Sequence, residues 1–233
     1  MKDIPNVVVF LVIVAFVVIL LVRCFRIANE WQRAVVLRLG RFQRLGGPGL
    51  PPRPAHAGTP EQAAAFIEQT GKDLTGVVNG SAAKADKQTQ LKSIVDRAVD
   101  VDEVARLCLG RYWRTAPPDQ QQQYLALFHQ VLLKNITGKL GEYQGVTFVV
   151  GRSVVRDDSV SVATVVTRPG VAPANVEWVV SNATGAPRIV DVVAEGTSLR
   201  LTQRSDYSAY LASHSNSVQA LIDALRQQAT QPG

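Results

Sequence analysis

Residues that hold metals or attack substrates are scarce in this sequence, which has two cysteines and three histidines in 233 residues. Cys24 follows an arginine at the end of an apolar run, and Cys108 sits in "VARLCLG". Settings so different make neither a disulfide framework nor a metal pair, and Cys108 reads as a core residue. His56, His129 and His214 have no Cys, His or Asp companion at ligand spacing, which leaves zinc and a nucleophile–base pair without support. Neither G-x-x-x-x-G-K nor G-x-G-x-x-G occurs, so no loop is built to cradle a nucleotide. Asp157-Asp158 reads as a turn, and Asp100, Asp102 and Glu103 as helix-start residues. An enzymatic reading would rest on Asp191 and Glu195, four apart, which nothing in the sequence places in a cleft. The expectation is therefore no catalytic residue, no metal and no cofactor.

An excess of charge of one sign is also missing from most of the chain. The net charge is +6, but eight of the 25 Lys and Arg fall in residues 1–57 against two of the 19 acidic residues. The remainder is neutral, which argues against a groove that follows nucleic-acid phosphates. The basic strip adjoins the longest apolar run, Val7–Val22, sixteen residues without a polar interruption. About 20 apolar residues span a bilayer core, and signal-peptide apolar segments run about 7–15. The expectation is a single transmembrane anchor over residues 1–28. Arg23, Arg26, Arg33, Arg38 and Arg41 follow it, which by the positive-inside rule keeps its C-terminal side cytoplasmic. Ala55-His56-Ala57 has the small residues of a secretory cleavage site, yet lies more than thirty residues beyond the apolar run.

Residues 29–57 hold a short alternating strand pattern and a Gly46-Gly47-Pro48-Gly49 turn. Glu30, Arg33, Ala34, Val35, Val36, Arg38, Leu39, Gly40 and Arg41, followed by Gly47-Pro48-Gly49-Leu50, resemble the start of the stomatin/prohibitin (SPFH) family. The rest of that family's domain does not follow. The resemblance implies a membrane scaffold as the alternative function.

From Gly58 the pattern becomes that of a folded domain. Thr59 reads as an N-cap with Pro60 at the first helical position, and Phe66, Ile67, Leu74, Val77 and Val78 mark an apolar stripe. Further helices are expected over Lys84–Val99 and Val101–Leu109, and the longest after Pro117-Pro118, with Phe128, Leu132, Ile136 and Leu140 at i+4 spacing. "VTFVV", "SVSVATVVTR", "NVEWVVS" and "PRIVDVVAE" are β-branched and closely spaced, which predicts an antiparallel meander. Two more helices close the chain. The expectation is an α+β domain, a four-stranded antiparallel sheet covered by amphipathic helices.

Over nearly all of this domain the sequence resembles the MlaC/toluene-tolerance family, phospholipid carriers of bacterial ABC-type lipid transport systems. The resemblance rests on Val99–Ala116, Gln123–Phe128, Leu140–Tyr143, Val190–Leu199 and Gln203–Tyr207, in the expected order. It implies a lipid-binding domain over residues 58–233, a phospholipid as cargo, an ABC-type permease and a membrane lipid-binding protein as partners, and a periplasmic location. Together with the apolar run it predicts a domain tethered to the bacterial inner membrane by a single-pass anchor. Ala55-His56-Ala57 then reads as the remnant of a leader junction, with a fusion seam near residues 50–58.

A carrier needs a dry lining. A two-tailed lipid has roughly 30 methylenes, and at about 0.8 kcal/mol each their exposure would cost on the order of 25 kcal/mol. Phe128, Val131, Leu132, Ile136, Val162, Val166, Trp178, Val180, Val193 and Leu199 are candidate lining residues, each of which could equally fill the core. Tyr112, Trp113 and Arg114 are candidates for a pocket mouth, where the arginine would meet a lipid phosphate, or for a helix cap.

Overall fold

The computed structural model describes residues 58–138 and 143–230. The apolar run and the stomatin/prohibitin-like motifs therefore lie outside the described residues. Helix α1 spans Pro60–Asn79. Thr59 Oγ1 accepts from Gln62 N while Thr59 N donates to Gln62 Oε1, so two donors orphaned at the helix start satisfy each other's residues. Helix α2 follows over Lys84–Ala98. Helix α3, Val101–Leu109, is capped by Asp100, whose side chain accepts from Glu103 N. It stops at Gly110, where φ is +59°, and a 3₁₀ turn covers Gly110–Arg114. Helix α4, Pro118–Gly138, is the longest.

The strands are β1 (Thr147–Arg156), β2 (Ser159–Arg168), β3 (Val171–Ser181), β4 (Arg188–Ala194) and β5 (Thr197–Ser198). They form one antiparallel sheet in the order β1-β2-β3-β4-β5, a meander as expected. The sheet has five strands, which corrects the expected four. Glu195 and Gly196, with φ of +47° and +79°, turn the chain back on itself so that Thr197 and Ser198 pair with Ala194 and Val193. A two-residue strand is too short to leave a period-2 signal. Helices α5 (Leu199–Ser213) and α6 (Val218–Thr230) complete the domain.

Packing divides into two main clusters. One is helical: Ala105, Cys108 and Leu109 of α3, Tyr124, Phe128 and Val131 of α4, Tyr207 and Leu211 of α5, and Leu221, Ile222 and Leu225 of α6. The other joins Ala63 and Ile67 of α1 and Ala98 of α2 to Val160, Val162, Val180 and Ile189 of the sheet. A small third group, Val78, Leu91 and Val146, lies under the far end of α1.

No helix among the described residues is long and apolar enough to cross a membrane. The expected single-pass inner-membrane localisation is corrected on this ground. Every described helix carries polar residues through its length, and the one run that suggested an anchor, Val7–Val22, lies outside the described residues.

Candidate functional site

Between the two ends of α1 the helix stands off the sheet, and the gap is a cavity of about 710 Å³. One wall is α1 itself: Ile67, Thr70, Gly71, Leu74, Thr75 and Val78 recur every three or four residues along a single face. The opposite wall is the helix-covered face of the sheet, with Phe148 of β1, Thr164 and Val166 of β2, Val176 and Trp178 of β3, and Ile189 and Val192 of β4. Cross-strand register aligns these residues, since Val166 faces Phe148, Thr164 faces Val176, and Trp178 faces Val192. Leu91, Val146 and the outer residues Asn135, Ile136 and Tyr143 complete the lining.

None of these residues is charged. Several of their polar atoms are satisfied by one another or by the backbone. Trp178 Nε1 donates to Thr164 Oγ1 at 2.9 Å, and that hydroxyl donates to the carbonyl of Val176 at 3.0 Å. Thr75 Oγ1 donates back to the carbonyl of Gly71 at 2.9 Å. The lining thus presents methyls, methylenes and rings, which suits a ligand with nothing to hydrogen-bond.

Of the thirteen residues singled out from the sequence, Ile136, Val166 and Trp178 line this cavity. The others do not. Phe128 and Val131 are buried in the helical cluster and Leu132 packs against it, because α4 lays its stripe on its neighbouring helices. Phe128 meets Tyr124 and Tyr207 at ring-centroid distances of 5.9 and 6.4 Å. Only the C-terminal end of α4 reaches the cavity. Val162 and Val180 lie on the correct sheet face but beneath Ala63 and Ile67, where α1 closes down on the sheet. Val193 pairs with Glu177 on the opposite face, and Leu199 is exposed at the start of α5. Tyr112 is buried in the helical cluster, donating from its hydroxyl to Asn216 Oδ1 at 2.6 Å. Trp113 is half-buried there under the Arg106 guanidinium, and Arg114 is exposed. These three belong to the 3₁₀ turn and not to the cavity mouth.

Sequence reasoning marked Ile67, Leu74 and Val78 as a helical stripe without assigning them to a cavity. It passed over Thr70, Gly71 and Phe148. The available signal was the run of small residues on the buried face of α1, which leaves room against a sheet.

Asp191, Glu195 and His129 have structural employment. Asp191 is buried, and its side chain accepts from Ser198 Oγ at 2.6 Å, Val192 N at 2.8 Å and Arg200 N at 3.2 Å, with Arg200 Nε 3.3 Å away. Glu195 Oε1 accepts from Asn175 N at 2.6 Å. His129 Nε2 lies 2.7 Å from Asp96 at an exposed site, and Lys92, which also bonds Asp96, holds its carboxyl below the usual range. Burial pushes the Cys108 thiol up to about 12. No group of His, Cys, Asp and Glu among the described residues could hold a metal ion.

The profile of MlaC proteins matches residues 59–227. The chain belongs to the MlaC family. The match begins at the capping threonine of α1 and does not extend to the stomatin/prohibitin-like motifs, so the scaffold reading is carried no further. The same fold occurs in a phospholipid-binding protein from Ralstonia solanacearum, solved in complex with a phospholipid. That structure superposes with a TM-score of 0.64 at 20% identity, covering 73% of this chain and 98% of the other. At that identity the likeness is one of fold.

Proposed function

We propose that this MlaC-family chain is a phospholipid carrier whose lipid-binding domain spans residues 58–233, with the acyl chains of its cargo enclosed between α1 and the sheet. The observation that carries this reading is the uncharged cavity of about 710 Å³, within the range of roughly 300–1,000 Å³ typical of small-molecule sites. Its methyl-rich walls offer shelter to apolar chains and no group suited to acid–base or nucleophilic work. Ile136, Val166 and Trp178 contact the chains together with Leu74, Phe148 and Val176. The Ralstonia protein of the same fold, bound to a phospholipid, supports the same cargo. The family resemblance supports a place in an ABC-type lipid transport system, receiving from or delivering to a permease and a membrane lipid-binding protein.

The test is lipid extraction from the full chain, purified without detergent, followed by mass spectrometry. Phospholipid is expected at a fixed ratio to protein, and Val166→Trp, which fills the cavity, is expected to remove it. A folded protein that holds no phospholipid and takes none from vesicles defeats the reading. So does a Val166→Trp variant that keeps its full complement.

A further inference from the structure

The apolar lining has one exception in its interior. Thr70 lies on the cavity face of α1 between Ile67 and Leu74 and is only 6% exposed. A threonine inside a helix can return its hydroxyl to a carbonyl one turn back, and the other threonines within these helices do so. Thr75 donates to Gly71, Thr89 to Ala85, Thr137 to Lys134, Thr202 to Ser198 and Thr230 to Arg226. The Thr70 hydroxyl makes no such bond, nor any other among the described residues, and packed atoms do not wall it in. It therefore opens into the cavity. The other polar side chains of the lining differ from it. Trp178, Thr164 and Thr75 are bonded to one another or to the backbone, and Asn135 and Tyr143 are exposed.

We propose that the Thr70 hydroxyl is a hydrogen-bonding anchor inside the cavity, donating to an uncharged oxygen on the enclosed part of the cargo. It makes this carrier select lipids that bring such an oxygen over lipids whose enclosed part has no such acceptor. The inference rests on the phospholipid reading above. A lipid that fills the cavity takes the hydroxyl out of reach of water, and a hydroxyl left unpaired there weakens binding. A trapped water would need two to four polar partners, and the side chains beside Thr70 on the helix face, Ile67 and Leu74, supply none. A phosphate does not fit the role, because no charged residue lines the cavity to pair with it. Thr70 also follows Ile67 directly along the face, where α1 closes on the sheet, so the site is interior. An uncharged oxygen meets all these conditions. Two sources share that chemistry, the carbonyl of an acyl ester and a hydroxyl along the chain.

The experiment loads the full chain from vesicles of three phosphatidylglycerols with chains of one length: the diester, the diether, and the diether with one mid-chain hydroxyl. Lipid retained per protein is measured for wild type, Thr70→Val, which keeps the shape and removes the hydroxyl, and Thr70→Ser, which keeps the hydroxyl. Wild type is expected to retain the diester, the hydroxylated diether or both above the plain diether. Thr70→Val should lower retention of the favoured lipid about fivefold, the scale of one neutral hydrogen bond, and raise that of the plain diether. Thr70→Ser should restore the preference, and the arm that loses retention in Thr70→Val names the source of the oxygen. A thermal melt checks that both variants are folded. An equal drop for all three lipids assigns Thr70 a packing role and overturns the proposal. A Thr70→Val variant that retains all three as wild type does, or retains all three better, overturns it too, while the carrier reading stands. If wild type takes up none of the lipids, the carrier reading itself fails, and this proposal with it.

Discussion

Gly71 lies on the cavity-facing side of α1, against the side-chain ring of Phe148 from β1. A Cβ built there would lie 2.6 Å from Phe148 Cε1, 2.5 Å from Cε2 and closer still to Cζ. Gly71→Ala sets two effects against each other. Removing a mid-helix glycine stabilises by up to about 1 kcal/mol, while forcing a side chain into a filled space costs about 1–3 kcal/mol. The conflict here is with the tip of one ring, and that ring borders a cavity of about 710 Å³ into which it can swing. The overpacking cost therefore falls to the lower end, and folding stability should change by about 1 kcal/mol or less. Lipid binding bears the consequence instead. A phenyl ring turned into the cavity excludes about four methylenes, and at about 0.8 kcal/mol each the loss is about 3 kcal/mol, more than a hundredfold in retention. Phe148→Leu in the same background removes the conflict and should restore binding. The assay pairs a denaturant melt of lipid-free protein with phospholipid retention for wild type, both single variants and the double. Full retention by Gly71→Ala would refute the reasoning, as would a loss of stability beyond about 3 kcal/mol, which would mean that the helix and not the ring had moved.

Trp178→Phe removes the donor to Thr164 Oγ1 and should cost about 1 kcal/mol, and because Thr164→Val also removes the hydroxyl's bond to the carbonyl of Val176, the double variant should be no more stable than Trp178→Phe alone; chemical denaturation of the three proteins measures this. Asp191→Ala breaks an ion pair whose carboxylate side chain is 5% exposed and should cost about 3–5 kcal/mol in thermal or urea melts. Phospholipid retained per folded molecule should not change, whereas a catalytic Asp191 would abolish turnover at unchanged stability. Burial holds Cys108, Tyr124 and Tyr207 protonated in the fold above their ordinary values, Cys108 up to about 12. The unfolded chain releases those protons first, so this contribution is intact below about pH 8.5 and declines as pH rises, more steeply from about 10 when the tyrosines join. Urea midpoints taken from pH 8 to 11 should fall along that course; a flat profile would contradict it.

How far the candidate site could be read in advance depended on the kind of information each residue carries. The α1 start was legible because Thr59 and Pro60 act within a single turn, and the structure adds Gln62 as the partner of the capping threonine. The meander was legible because β-branched runs separated by Asp157-Asp158 and Pro169-Gly170 have only one economical way to pair. Phe128 and Ile136 belong to one apolar pattern on α4, yet one is buried against helices and the other lines the cavity at its mouth. Val162 and Val166 lie four apart on one sheet face and meet the same contrast.

The local pattern of side chains by itself determined the α+β class, the helix starts, the antiparallel strands and the absence of charge from the apolar faces, because each follows from interactions within a few residues. Only the tertiary structure decided where α1 closes on the sheet and where it stands away. Periodicity tells which way a side chain points. Whether it meets another side chain or an open space depends on the distance between elements remote in sequence, here set by Phe148 against Gly71 and by α4 turning its stripe toward α5 and α6.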